Sequence, residues 1–115
     1  LGVAAVSTCP VTVMIGDLAL LHDMGALALV QYVSVPVVMV VLNNDGGALF
    51  DRLPIVDEQD VFEDYFRTPH GRQFESISAM FDWQYRRVTS VDAFSSCYAS
   101  AIAYRGGTLI EVQVV

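Results

Sequence analysis

Apolar residues fall along this chain in short continuous runs, and each run stops abruptly at small or polar residues. Val37 to Leu42 is the clearest: an unbroken Val-rich run that predicts a strand buried on both faces. Thr12 to Ile15 predicts a shorter buried strand. Between them, Asp17 to Tyr32 predicts a helix with Leu18, Leu21, Gly25, Leu29 and Tyr32 on or near one face. The stretch Gly25 to Leu42 is largely apolar and near the length of a membrane span, but Pro36 interrupts it, Gln31 and Ser34 precede the proline, and the composition changes from Ala/Leu-rich to Val-rich across it. A helix, a turn and a buried strand account for that change.

Upstream, residues 1–8 predict the end of a helix; with no initiator Met and no N-cap signal, the sequence is expected to start inside an element of a larger protein. Downstream, a helical turn over Ala48 to Leu53 is stopped by Pro54, and an acidic segment from Asp57 to Phe66 predicts a helix. Phe74 to Phe81 predicts another helix, Tyr85 to Val88 a strand, Val91 to Tyr104 a helix, and Thr108 to Val114 a last strand. Strands linked by helices give an α/β fold, a parallel sheet with helices on both faces and right-handed crossovers. At 115 residues there is room for one domain.

Composition narrows the function more than the fold. Thirteen acids stand against six bases, all of them Arg, for a net charge of −7. Without a Lys/Arg cluster to neutralise phosphates, nucleic-acid binding is not expected. Cys9 and Cys97 lack CxxC or His partners and read as core packing residues of a reducing compartment; with no secretion or lipidation signal, the expected location is the cytoplasm, off the membrane.

The chemistry concentrates at two strand ends. In an open parallel sheet, ligands bind in the crevice at the carboxyl ends of the strands. Gly16-Asp17 follows the first strand, and Asn43-Asn44-Asp45-Gly46-Gly47 follows the second. A turn needs one Asn-Gly or Asp-Gly pair, so the second amide is surplus to a turn. If the two strands are neighbours, Asp17 and Asn44 project into one site. A hard cation such as Mg²⁺ takes oxygen ligands, and Asp17 offers a carboxylate at a helix N-terminus whose free N–H groups also suit a diphosphate. Asn44 offers an amide oxygen and Gly46 an exposed carbonyl, while Asn43 is the amide that fixes the loop. On spacing alone, an N-capping Asp17 and an ordinary Asn-Asp-Gly turn stand beside that reading.

Gly16-Asp17 followed by Asn43-Asn44 resembles the motif of thiamine-diphosphate enzymes, which opens Gly-Asp-Gly and closes Asn-Asn. Within that superfamily, "GDLALLHDMGAL", "NNDGGALFDRLP", "FEDYFRTPHGRQFE" and "LIEVQV" are similar to the 2-succinyl-5-enolpyruvyl-6-hydroxy-3-cyclohexene-1-carboxylate synthase family of menaquinone biosynthesis. That family likewise departs from Gly-Asp-Gly at the third position, here Leu18, and shares His22-Asp23 and the run from Phe50 to Pro54. The resemblance implies a thiamine-diphosphate-binding fold, with residues 1–115 forming most of a C-terminal diphosphate- and Mg-binding domain that lacks its N-terminal part. It implies Mg²⁺ (or Mn²⁺) held by Asp17, Asn44 and the Gly46 carbonyl. Cofactor contacts fall at Gly16, Asp17, Leu18, Asn43, Asn44, Gly46, Gly47, Leu49 and Phe50, and substrate contacts at Phe50 and Leu53.

The same resemblance implies a transferase that decarboxylates 2-oxoglutarate and adds the resulting carbanion to isochorismate, as a homo-oligomer (dimer or tetramer). The activating glutamate is expected in another domain, so no catalytic residue is assigned here and this stretch alone is expected to be inactive. Another thiamine-diphosphate decarboxylase or carboligase, or a degenerate diphosphate-binding domain, are the alternatives. For the remaining polar residues the structural readings come first: His22 and Asp23 as a buried hydrogen-bonded pair, the acids from Asp57 to Asp64 as a solvated helix face, and Arg52, Arg67, His70 and Arg72 as surface groups able to attract dicarboxylates.

Overall fold

The computed structural model describes residues 1–114. Four strands, β1 (Val11–Gly16), β2 (Val37–Asn43), β3 (Gln84–Val88) and β4 (Gly107–Gln113), form one parallel sheet in the order β1-β2-β4-β3. The α/β architecture expected from the alternation of strands and helices is present. The last strand inserts between β2 and β3, so the two central strands are β2 and β4.

Those central strands carry the most apolar sequence because they are covered on both sides. Val37, Met39 and Val41 of β2 and Leu109 of β4 face a cluster that holds Ala4 of α1 (Gly2–Val6), Leu20 of α2 (Asp17–Asp23), Leu27, Phe74 and Trp83. Val38, Val40 and Ile110 face the other way, onto Ala101 with Phe94, Cys97 and Tyr98 of α5 (Val91–Ala101). Phe94, Cys97, Tyr98 and Ala101 follow a helical repeat, which puts all four on the face toward the sheet. Ser90 starts α5 by accepting a hydrogen bond from the Ala93 N–H at 3.2 Å. Each Leu or Val side chain so buried contributes about 1.5–3 kcal/mol. The Trp83 indole N–H donates to the Leu27 carbonyl at 3.0 Å, and Gly107 leaves the room its ring occupies.

Three expectations are corrected. The strand β1 is an edge strand with only β2 beside it, so Val13 is 37% and Met14 69% exposed rather than buried. The helix expected over Asp17 to Tyr32 is α-helical only to Asp23 and continues to Tyr32 as tighter 3₁₀ turns. With about three residues per turn the apolar stripe rotates, so Leu20 and Leu27 are buried while Leu29 and Tyr32 are exposed. His22, Asp23 and Cys9 lie on the surface, not in the core; Cys97 is half-buried against α5's cluster.

Between β2 and β3 the chain makes 3₁₀ turns at Ala48–Arg52 and Pro54–Asp57. It then runs through α3 (Gln59–Phe62), whose end widens into a π-turn at Glu63–Arg67, to α4 (Glu75–Met80). Thr68, at φ +40°, ends that helical stretch. Asp57, Glu58, Asp60, Glu63 and Asp64 are all exposed, the solvated face expected of them. No helix among the described residues is long and apolar enough to cross a membrane.

Candidate functional site

The register of β1 on β2 pairs Gly16 with Leu42, so the two strands leave the sheet side by side at their carboxyl ends. Asp17 opens α2 there, buried, and Asn43 to Gly47 continue from β2. Asp17 Oδ1 accepts from the Leu18 N–H at 2.8 Å, and Oδ2 accepts from the Gly46 N–H at 2.8 Å. The carboxylate therefore bridges the two strand ends. Asp17 and the Asn-Asn loop share one site, as the sequence predicts for neighbouring strands.

The two amides do different things. Asn43 is buried; its Oδ1 accepts from the Asp45 N–H at 3.0 Å, closing the first turn of the loop. Its Nδ2 donates to Glu111 Oε1 of β4 at 2.8 Å and to the Arg72 carbonyl at 3.0 Å. Asn44 points the other way. Its side-chain amide lies 2.6 Å from the Gly46 carbonyl oxygen and 3.3 Å from Asp17 Oδ2, and with its nitrogen inward it donates to both.

Without a cation the amide donates from its nitrogen to these two oxygens; with a cation among the three groups it turns over and presents its oxygen. Both states use the same side-chain placement. With oxygen inward, the group is a carboxylate, an amide oxygen and a peptide carbonyl, the donor set that Mg²⁺ or Mn²⁺ takes. The residues present therefore fit a hard divalent cation. Among the described residues no group of three His, Cys, Asp or Glu side chains offers a competing site.

The segment 66–72 closes over this loop. A Cβ on Gly46 would collide with the carbonyl oxygens of Arg67 and Thr68, and one on Gly47 with the Phe66 carbonyl and the Phe50 ring. The Gly47 N–H donates to the Arg67 carbonyl at 2.6 Å. Gly46, at φ +105°, takes a conformation that side chains resist. The glycine pair is thus required by the chain's own backbone, and the Gly46 backbone is buried rather than exposed as expected from the turn alone.

Three side chains fasten the segment down. The Arg67 guanidinium donates to the Asp45 and Asn44 carbonyls and lies 3.6 Å from Asp51 Oδ1. Asp45 Oδ1 accepts from the N–H groups of Gly71 at 2.7 Å and His70 at 3.0 Å. The Gly71 hydrogen bond, opposed by partial desolvation and helped by His70 and Arg67, holds the Asp45 carboxyl below its ordinary range. His70 reaches inward: its Nε2 lies 3.0 Å from Asp17 Oδ2, and its Nδ1 accepts from the Arg72 N–H at 2.9 Å.

The sequence weighed His70 only as a surface attractor of anions, yet its side chain is 8% exposed and touches the central carboxylate. Pro69 and Gly71 on either side of it were the available sign that this residue sits in a fixed turn. Arg52 and Arg72 are exposed, and Arg72 serves the site through its backbone. Leu49 is exposed and lines an open groove of about 480 Å³ with Asn44, Ala48, Asp51, Arg52 and Arg67. Phe50 packs edge-on against Phe66, with ring centres 5.6 Å apart, and Leu53 is 46% exposed outside that groove. Gly16 and Leu18 flank Asp17 at the start of α2, Gly16 exposed and Leu18 half-buried.

Residues 1–112 match the family described as "Thiamine pyrophosphate enzyme, C-terminal TPP binding domain". The chain belongs to that family. This TPP-binding domain is 49% identical over 97% of its length to a 2-succinyl-5-enolpyruvyl-6-hydroxy-3-cyclohexene-1-carboxylate synthase of Salinibacter ruber, covering 18% of that protein. It is 41% identical over 98% of its length to the synthase of the same name from Shewanella sp. strain ANA-3, covering 20% of it. The TPP-binding domain thus spans about a fifth of the length of the curated relatives it matches. Among solved structures, the thiamine diphosphate-dependent 4-hydroxybenzoylformate decarboxylase of Rhodococcus jostii RHA1 superposes with a TM-score of 0.74. It is 28% identical, over 90% of this chain and 19% of that one.

Proposed function

We propose that this domain is the cofactor-binding portion of a thiamine-diphosphate-dependent synthase that decarboxylates 2-oxoglutarate and transfers the remaining carbons to isochorismate. The observation that carries the binding role is the convergence of Asp17 Oδ2, the Asn44 side-chain amide and the Gly46 carbonyl. The choice of reaction rests on the names of the relatives at 41–49% identity.

In this reading Asp17, Asn44 and the Gly46 carbonyl would hold Mg²⁺ or Mn²⁺, which would neutralise the cofactor's diphosphate, and Gly16 and Leu18 flank that ligand set. Thiamine diphosphate supplies, when bound, the electron sink for loss of CO₂ and the nucleophilic carbon for the addition. Asn43, bonded to Glu111 and to the Asp45 N–H, fixes the loop so that Asn44 and Gly46 keep their places. Gly47 admits the 66–68 backbone that covers the loop from water. Leu49, Phe50 and Leu53 form the apolar approach to the reacting centre. The activating carboxylate comes from another part of the assembled enzyme, a cytoplasmic homo-oligomer, and this domain alone gives no turnover.

Calorimetric titration of the full-length protein with thiamine diphosphate, with and without Mg²⁺, tests the reading. Binding that requires the metal is expected. Absence of binding in both conditions would overturn it.

A further inference from the structure

We propose that His70 is a positioning residue that orients Asp17 for the divalent cation, an inference that rests on the reading of Asp17 as a metal ligand. Asp17 Oδ2 receives the Gly46 N–H at 2.8 Å and His70 Nε2 at 3.0 Å, and it faces the Asn44 side-chain amide at 3.3 Å. Nδ1 accepts the Arg72 N–H at 2.9 Å, which places the ring proton on Nε2, where it is donated to the carboxylate. This fixes both the tautomer and the plane of the ring.

The ring has little freedom to leave. The backbone N–H groups of His70 and Gly71 are both held by Asp45 Oδ1, and the ring stands edge-on to Phe74, with ring centres 6.3 Å apart. A carboxylate held by two donors on one oxygen stays in the rotamer that points this oxygen at Asn44 and Gly46. Without the His70 donor Oδ2 keeps the Gly46 N–H and Oδ1 the Leu18 N–H, so the carboxylate loses one of three fixed donors and is held less firmly about χ2. The cation then has to order its own ligand, and its affinity falls.

The test measures the Mg²⁺ concentration that half-saturates thiamine diphosphate binding, by calorimetry on the full-length protein and on His70→Ala, His70→Asn and His70→Gln. A Gln side-chain amide nitrogen reaches about where Nε2 lies, whereas that of Asn stops near the Nδ1 position. Roughly 10- to 100-fold more Mg²⁺ is expected for Ala and Asn, with Gln close to wild type. If His70→Ala fails to fold, the contrast of Gln with Asn still decides, because a merely space-filling His70 gives no preference for a donor at Nε2. An unchanged or lowered Mg²⁺ requirement in His70→Ala, or equal impairment in Gln and Asn, overturns the proposal while leaving the metal site standing. Failure of the wild-type protein to bind removes both.

Discussion

Asn43 and Glu111, 68 positions apart in sequence, meet inside the sheet, where the amide nitrogen donates to the carboxylate at 2.8 Å. Glu111 is fully buried, and its other oxygen accepts from the Phe74 N–H at 3.0 Å and the Tyr85 hydroxyl at 2.8 Å. One carboxylate thus joins the ligand loop after β2, the start of α4 and the strand β3. Three donors converge on it, and a buried donor without an acceptor is costly.

Glu111→Ala is therefore expected to destabilise the domain by about 3 kcal/mol or more. Glu111→Gln keeps an oxygen for part of the set and turns an NH₂ toward the rest, so about half that loss is expected. Urea denaturation followed by emission of Trp83, the single Trp of this chain, measures both. Equal stability of wild type and Glu111→Ala would remove the carboxylate from the structural account.

The same network predicts a response to alkali. Desolvation, together with the hydrogen bond and charge of Glu111, raises the Tyr85 hydroxyl far above its ordinary value of 10.0. With the folded pKa raised, the folded state holds a proton that the unfolded state releases. Stability is complete below pH 10 and falls as pH climbs above it. Tyr85→Phe should flatten that decline between pH 10 and 11 and lower stability at pH 7 by about 1–2 kcal/mol, since Glu111 loses a donor. Parallel slopes for the two proteins in urea melts across this range would contradict it.

At the ligand loop, Asp17→Ala in the full-length protein should abolish Mg²⁺-dependent binding of thiamine diphosphate. It removes the only charged oxygen among the three that converge. Asp17→Asn retains the shape but loses the charge, and should still weaken the metal by more than the roughly 100-fold that loss of an outer hydrogen-bonding partner costs. Unaltered affinity in either variant, measured calorimetrically, would refute the assignment of Asp17.

Gly47→Ala tests why two glycines stand together. Its Cβ would meet the Phe66 carbonyl and the Phe50 ring, so the 66–68 backbone must lift. A loss of about 1–3 kcal/mol is expected from the overpacking, along with weaker cofactor binding as the cover is displaced. Wild-type stability and affinity in this variant would show that the segment does not depend on the close approach.

Much of this arrangement was legible in the residues. The unbroken apolar run of β2, the alternation of strands and helices, and the polar ends of β1 and β2 are local features, and they placed Asp17 beside Asn44 correctly. What escaped lies in contacts without a local signature. Nothing in the spacing of the TPHG turn ties His70 to Asp17, 53 positions earlier, and the exposure of β1 follows from strand order rather than from its own apolar sequence. The rotation of the Asp17–Tyr32 stripe came from a change of helical pitch at Met24 that propensity does not foretell. Glu111 did leave a trace: a lone acid inside "TLIEVQV" marks a buried carboxylate that has donors waiting.

The Glu111 tether also governs how this domain can be recombined with its relatives. Residues 43, 72, 74, 85 and 111 answer to one another through a single side chain and its neighbours. A graft that exchanges the Asn-Asn loop alone would carry its amide into a sheet whose acid, tyrosine and covering turn were selected for a different partner. Crossover points for chimeras are best set before β1 or beyond β4, so that Asp17, the loop and its distant anchors are inherited as one block.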